Sequence, residues 1–146
     1  MSRCCSISTW PTNDLFDANA DGLLDAWQIH YFGSTTSPAA APSADPDGDG
    51  ANNLNEFVTQ TDPTNSTSVE KLQANPDPEN SQNLVLSWLA ARSRLYTLET
   101  TTDLLSGNWQ GLAGGTDIVG DNTMRLITNS ISGTGFYRLR TQLQRP

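Results

Sequence analysis

Two acidic stretches of equal length, Asp17 to Gln28 and Asp45 to Glu56, repeat one another position for position 28 residues apart. No other feature constrains the fold of this chain as tightly. A twelve-residue loop that wraps a hard cation takes oxygens from positions 1, 3, 5, 7, 9 and 12, with glycine at position 6 for a sharp turn. Positions 1, 3 and 5 are Asp17, Asn19 and Asp21 in the first stretch and Asp45, Asp47 and Asp49 in the second. Gly22 and Gly50 fall at position 6, where a β-carbon would oppose the turn. Position 7, Leu23 or Ala51, needs only its backbone carbonyl. Position 9 is Asp25 or Asn53, and position 12 is Gln28 or Glu56.

The loops differ most at position 12. Glu56 has two carboxylate oxygens to give, whereas Gln28 has one neutral carbonyl oxygen. The first loop holds three carboxylates and the second four, so the second is expected to bind more tightly. Calcium accepts irregular sets of six to eight oxygens while magnesium requires a near-ideal octahedron, and the expectation is two calcium ions, one per loop. Asp, Asn and Gly also make plain solvated turns, but two such turns in register at every ligand position favour a cation.

Charge is divided along the chain. Residues 1–80 carry twelve acidic side chains against Arg3 and Lys71, and residues 81–146 carry four against six arginines. An acidic half of this kind repels itself without counter-ions, and no basic face exists to neutralise phosphates, so nucleic acid is excluded as a partner. No run of eighteen apolar residues occurs to span a membrane, and the start lacks the apolar core of a signal peptide. Cys4 and Cys5 are adjacent and are the only cysteines, so no disulfide framework or zinc site can be built from them within one chain. With His30 the sole histidine, catalytic triads lack their raw material. The expectation is a chain that is not an enzyme.

The periodicity changes partway along. Leu24, Trp27 and Tyr31 make an apolar stripe after the first loop, with Gly33 as a helix stop, and Leu54, Phe57 and Val58 repeat this after the second. Helices this short need tertiary packing, and the economical arrangement sets the two stripes face to face with the loops side by side. Residues 34–44 have linker composition. From Asn83 the period becomes two: Leu84, Leu86 and Trp88, then Tyr96, Leu98 and Thr100, then Met124, Leu126 and Thr128, then Tyr137 and Leu139, with turn-forming clusters between them. This predicts an antiparallel β-sandwich of five or six strands. The fold class is therefore α+β in two small domains. An N-terminal segment (1–13) leads to paired loop-helix repeats (14–65), a linker (66–82) and the sandwich (83–146).

The pattern Asp17 to Gln28 with Tyr31-Phe32-Gly33, followed by Asp45 to Glu56 with Thr61-Asp62-Pro63-Thr64, resembles the EF-hand-like paired calcium repeats of dockerins and of thrombospondin type 3 modules in bacterial surface proteins. Asn19 and Gln28 depart from that pattern. Residues 83–141 are similar to small C-terminal β modules of secreted bacterial proteins. The resemblance implies calcium ligands at Asp17, Asn19, Asp21, Leu23, Asp25, Gln28, Asp45, Asp47, Asp49, Ala51, Asn53 and Glu56. It also implies an extracellular or cell-surface setting, with the chain a mature form or fragment.

The leading functional expectation is a calcium-stabilised structural and interaction module with a protein partner or self-association. Alternatives are a dockerin-like anchor with an exposed helix face at Ile29 and Phe32, and a filament subunit that donates Ser6 to Trp10 or a linker to a neighbouring sheet edge. A carbohydrate-binding module would place polysaccharide on at least two coplanar, exposed rings among Trp10, Trp88 and Trp109.

Overall fold

The computed structural model describes residues 16–131 and 135–144. Cys4, Cys5 and the segment Ser6 to Trp10 lie outside them. Among the described residues the protein is a small mixed α/β chain with two α-helices and antiparallel sheets, mostly β, and it divides into two compact units, Met1–Val69 and Glu70–Pro146.

In the first unit each acidic loop runs straight into a helix whose first residue is loop position 9. Helix α1 spans Asp25–Phe32 and α2 spans Asn53–Thr59. Gly33, in the left-handed region at φ 75°, ends α1 by donating its N–H to the Ile29 carbonyl. Asn52 starts α2 by accepting from the Asn55 N–H at 2.9 Å, and Gln60 ends it at φ 65°. The helices meet edge to face at Trp27 and Phe57, with ring centroids 5.7 Å apart. Trp27, 3% exposed, also contacts Tyr31 and Phe32. Phe32 thereby turns toward the core, so Ile29 alone of the pair is exposed.

The stretch 34–44, expected as a linker, contains a short 3-10 turn at Pro38–Ala40 whose Ala40 is fully buried. Its carbonyls are acceptors for buried amides: Gln28 Nε2 donates to Ala40 O at 2.9 Å, and Asn53 Nδ2 donates to Ala39 O and Ala41 O at 2.7 and 2.8 Å. The three small alanines permit that approach. Leu23 is also fully buried. Position 7 of the first loop thus supplies core.

Among the described residues the second unit contains seven strands in two antiparallel sheets. One sheet has the order β1 (Gln73–Pro76), β2 (Asn83–Ala90), β6 (Thr123–Ser130). The other centres on β3 (Arg94–Thr101), which pairs along its length with β7 (Phe136–Leu143). Strand β3 also carries two short strands, β4 (Gln110–Gly111) and β5 (Ile118–Val119). Residues 66–82, expected as a linker, therefore include strand β1. It reads as loop because Asn75 and Pro76 are poor strand formers, and pairing with β2 over Leu84 to Ser87 overrides that preference.

Leu86, Trp88 and Ala90 of β2 and Tyr96 and Leu98 of β3 form the buried core, with Leu84, Ile127, Tyr137 and Leu139 packed against it. In β6 the expected alternation has the opposite phase. Pairing of Leu86 with Ile127 and of Trp88 with Arg125 puts the odd-numbered residues inward. Met124 and Leu126 face out, 51% and 66% exposed, next to the exposed Leu89.

Candidate metal centre

The two loops share one hydrogen-bond scaffold, and its repetition shows that the sequence duplication is also a structural one. At position 1, Asp17 Oδ2 and Asp45 Oδ2 accept from the N–H of Gly22 and Gly50 at 2.9 and 3.0 Å. At position 5, Asp21 Oδ1 and Asp49 Oδ1 accept from the N–H of Leu23 and Ala51 at 2.9 and 2.7 Å. Position 6 has nearly the same backbone twist in both, φ 93° at Gly22 and 96° at Gly50. Position 4 is left-handed in both as well, but it is Gly48 (φ 77°) in the second loop and Ala20 (φ 53°) in the first.

The loops then part in what their remaining oxygens do. In the second loop, Asp45, Asp47 and Asp49 bring carboxylate oxygens within 4.8 Å of one another. A group of this kind can hold a metal ion. It is the only such acidic cluster among the described residues. Asp47 Oδ2 and Asp49 Oδ2 are buried without a hydrogen-bond partner, as are Asn53 Oδ1 and Glu56 Oε2. Asn53 and Glu56 are fully buried residues, placed by the first turn of α2. The other oxygen of Glu56 has one weak contact, from the Thr61 hydroxyl at 3.4 Å.

A buried polar atom without a partner is costly, and a positive charge could offset four of them at positions 3, 5, 9 and 12 of one loop. Electrostatics agrees. Burial, and then the nearby carboxylates of Asp47, Asp49 and Asp45, push Glu56 from the ordinary 4.5 up to about 7.

In the first loop the equivalent oxygens are engaged differently. Asp21 Oδ2 accepts from Asn19 Nδ2 at 2.9 Å and from Gln28 Nε2 at 2.8 Å. Asp25 Oδ1 accepts from the Ala18 N–H at 3.1 Å. Gln28 is fully buried, and its Oε1 is the one buried side-chain oxygen of this loop without a partner among the described residues. The structure thus gathers Asp45, Asp47 and Asp49 and sets Glu56 beside them. Asp17, Asp21 and Asp25 form no equivalent cluster.

Two features escaped sequence reasoning. One is Thr61, whose hydroxyl reaches Glu56 from beyond the helix. The other is the 3-10 turn that receives Gln28 and Asn53. Only the three closely spaced alanines, small enough to bring backbone near backbone, signalled it.

Of the tryptophans considered for sugar binding, Trp88 is 1% exposed and belongs to the core. Trp109 lies beneath the Arg138 guanidinium, 4.2 Å from the ring centroid, and Arg138 in turn pairs with Glu99 at 2.7 Å. Trp10 lies outside the described residues. Among those residues no helix is long and apolar enough to cross a membrane.

Comparison of the chain with protein-family models, curated proteins and solved structures finds no match.

Proposed function

We propose that this chain is a calcium-stabilised extracellular module with a structural and interaction role and no catalytic activity, related in design to the paired calcium repeats of dockerins and thrombospondin type 3 modules. One observation carries the reading: the second loop leaves four buried oxygens, on Asp47, Asp49, Asn53 and Glu56, without partners. All the donors there are oxygens, mostly anionic, in an irregular set rather than an octahedral frame, which favours calcium over magnesium and over softer metals. Bound calcium would neutralise the repulsion that raises Glu56 and would join the loop to α2 through Asn53 and Glu56. Binding then becomes folding free energy for a unit with few large apolar side chains.

The raised Glu56 carboxyl stands among other carboxylates, with the Thr61 hydroxyl reaching it at 3.4 Å. The interaction part is supported by the outward face of β2 and β6, where Leu89, Met124 and Leu126 are exposed together.

Calorimetric titration of the metal-free chain is the test. Calcium is expected to bind with a dissociation constant of about 10⁻⁴ to 10⁻³ M, the range of extracellular modules, and Asp45→Ala with Glu56→Ala is expected to abolish that event. Unchanged binding in the double variant would refute the loop assignment.

A further inference from the structure

We infer that Gln28 closes the first loop with hydrogen bonds in place of an ion, so that the chain takes one calcium, in the second loop, rather than two. The inference rests on the calcium reading of the second loop, which serves as an internal control on the first. Both loops have the same backbone scaffold, with position 1 and position 5 carboxylates holding equivalent N–H groups at 2.7 to 3.0 Å. In the second loop the outer oxygen of position 5, Asp49 Oδ2, has no partner. In the first, the equivalent Asp21 Oδ2 receives two amide donors, from Asn19 at 2.9 Å and Gln28 at 2.8 Å. These donors come from positions 3 and 12. They stand where the second loop has Asp47 and Glu56.

An ion could reach Asp21 only if both amides turned over. For Gln28 this has a specific penalty, because its Nε2 also donates to the Ala40 carbonyl at 2.9 Å. Turning the amide would set Oε1 against that carbonyl, two acceptors facing each other at a side chain with no solvent exposure. Glutamate at this position would lack the donor altogether. Gln28 is therefore the residue that decides the number of ions bound, with Asn19 assisting. Position 12 of the first loop serves as an internal donor and position 12 of the second as an acceptor.

The experiment uses the full chain and calcium alone, with stoichiometry read by native mass spectrometry and calorimetry. The wild type is expected to bind one ion. Asn19→Asp with Gln28→Glu is expected to bind two, and Glu56→Gln none. Circular dichroism of each variant reports whether it is folded. Two ions on the wild type, or one retained by folded Glu56→Gln, would overturn the inference while leaving the calcium module intact. So would a folded Asn19→Asp, Gln28→Glu variant that still binds only one. A wild type that binds no calcium would instead overturn the function proposed above, and this inference with it. Should Asn19→Asp with Gln28→Glu fail to fold, Gln28→Glu alone with the same readout takes its place.

Discussion

At position 12 of the second loop, a cation bound as proposed would compete with a proton for the same carboxylate. Burial and the neighbouring Asp47, Asp49 and Asp45 hold Glu56 up at about 7, so in the metal-free protein it keeps its proton well above the ordinary 4.5. The unfolded chain releases that proton first as pH rises. Stability of the metal-free unit should therefore fall as pH climbs from about 4.5 to about 7. Calcium affinity should rise over the same window, with release of a proton on binding below pH of about 7. Titrations in buffers of different ionisation enthalpy would detect that proton, and Glu56→Gln should remove the dependence. A second residue-scale difference lies at position 4, where Ala20 holds φ 53° and Gly48 holds φ 77°. A β-carbon in the left-handed region costs about 1 to 2 kcal/mol, and one at Gly48 would meet no other atom within 4 Å. Ala20→Gly should thus stabilise the first unit and Gly48→Ala destabilise it, each by about 1 kcal/mol once glycine's extra chain entropy is counted. Urea unfolding followed at Trp27 would show both.

Among the elements, the turn between β5 and β6 is fitted most closely to its neighbour. The N–H groups of Asp121 and Asn122 both donate to the Ala90 carbonyl at the end of β2, and Asn122 Oδ1 accepts from the Arg92 N–H at 2.8 Å. A β-carbon at Gly120 would lie 1.8 Å from the Ala91 carbonyl oxygen, which as backbone cannot yield cheaply. Gly120→Ala should cost about 3 kcal/mol, the upper part of the range for overpacking, and should depress the melting of the second unit alone. Much of the strand layout was legible in the sequence, because the alternation through Leu84, Leu86 and Trp88 and through Tyr96 and Leu98 has one buried face. It failed at β6, where Met124 and Leu126 are the more hydrophobic set yet Ile127 and Arg125 face inward. Register with β2 and the turn at Gly120 decide the phase there, and neither is visible in a local pattern. The acidic loop positions were fully legible as ligand candidates. Their division into one gathered cluster and one closed loop was not, because it depends on which way two buried amides donate, and a turn of three alanines settles that.

For the molecule as a whole, charge and core are distributed unequally between the two units. The second has a shared apolar core between two sheets, whereas the first buries unpartnered oxygens of its second loop as well as Leu23 and Trp27. Calcium at about 100 times its dissociation constant should stabilise the first unit by about 2.7 kcal/mol, and hydrogen exchange in the second should be the same in chelator and in calcium. Equal loss of protection in both units on chelation would show that they unfold together. The unpartnered oxygens of the second loop also bear on where the chain completes its fold. On the proposed extracellular reading, a site in this affinity range would fill only where free calcium is abundant, and the surroundings of the chain would then supply the last part of its fold.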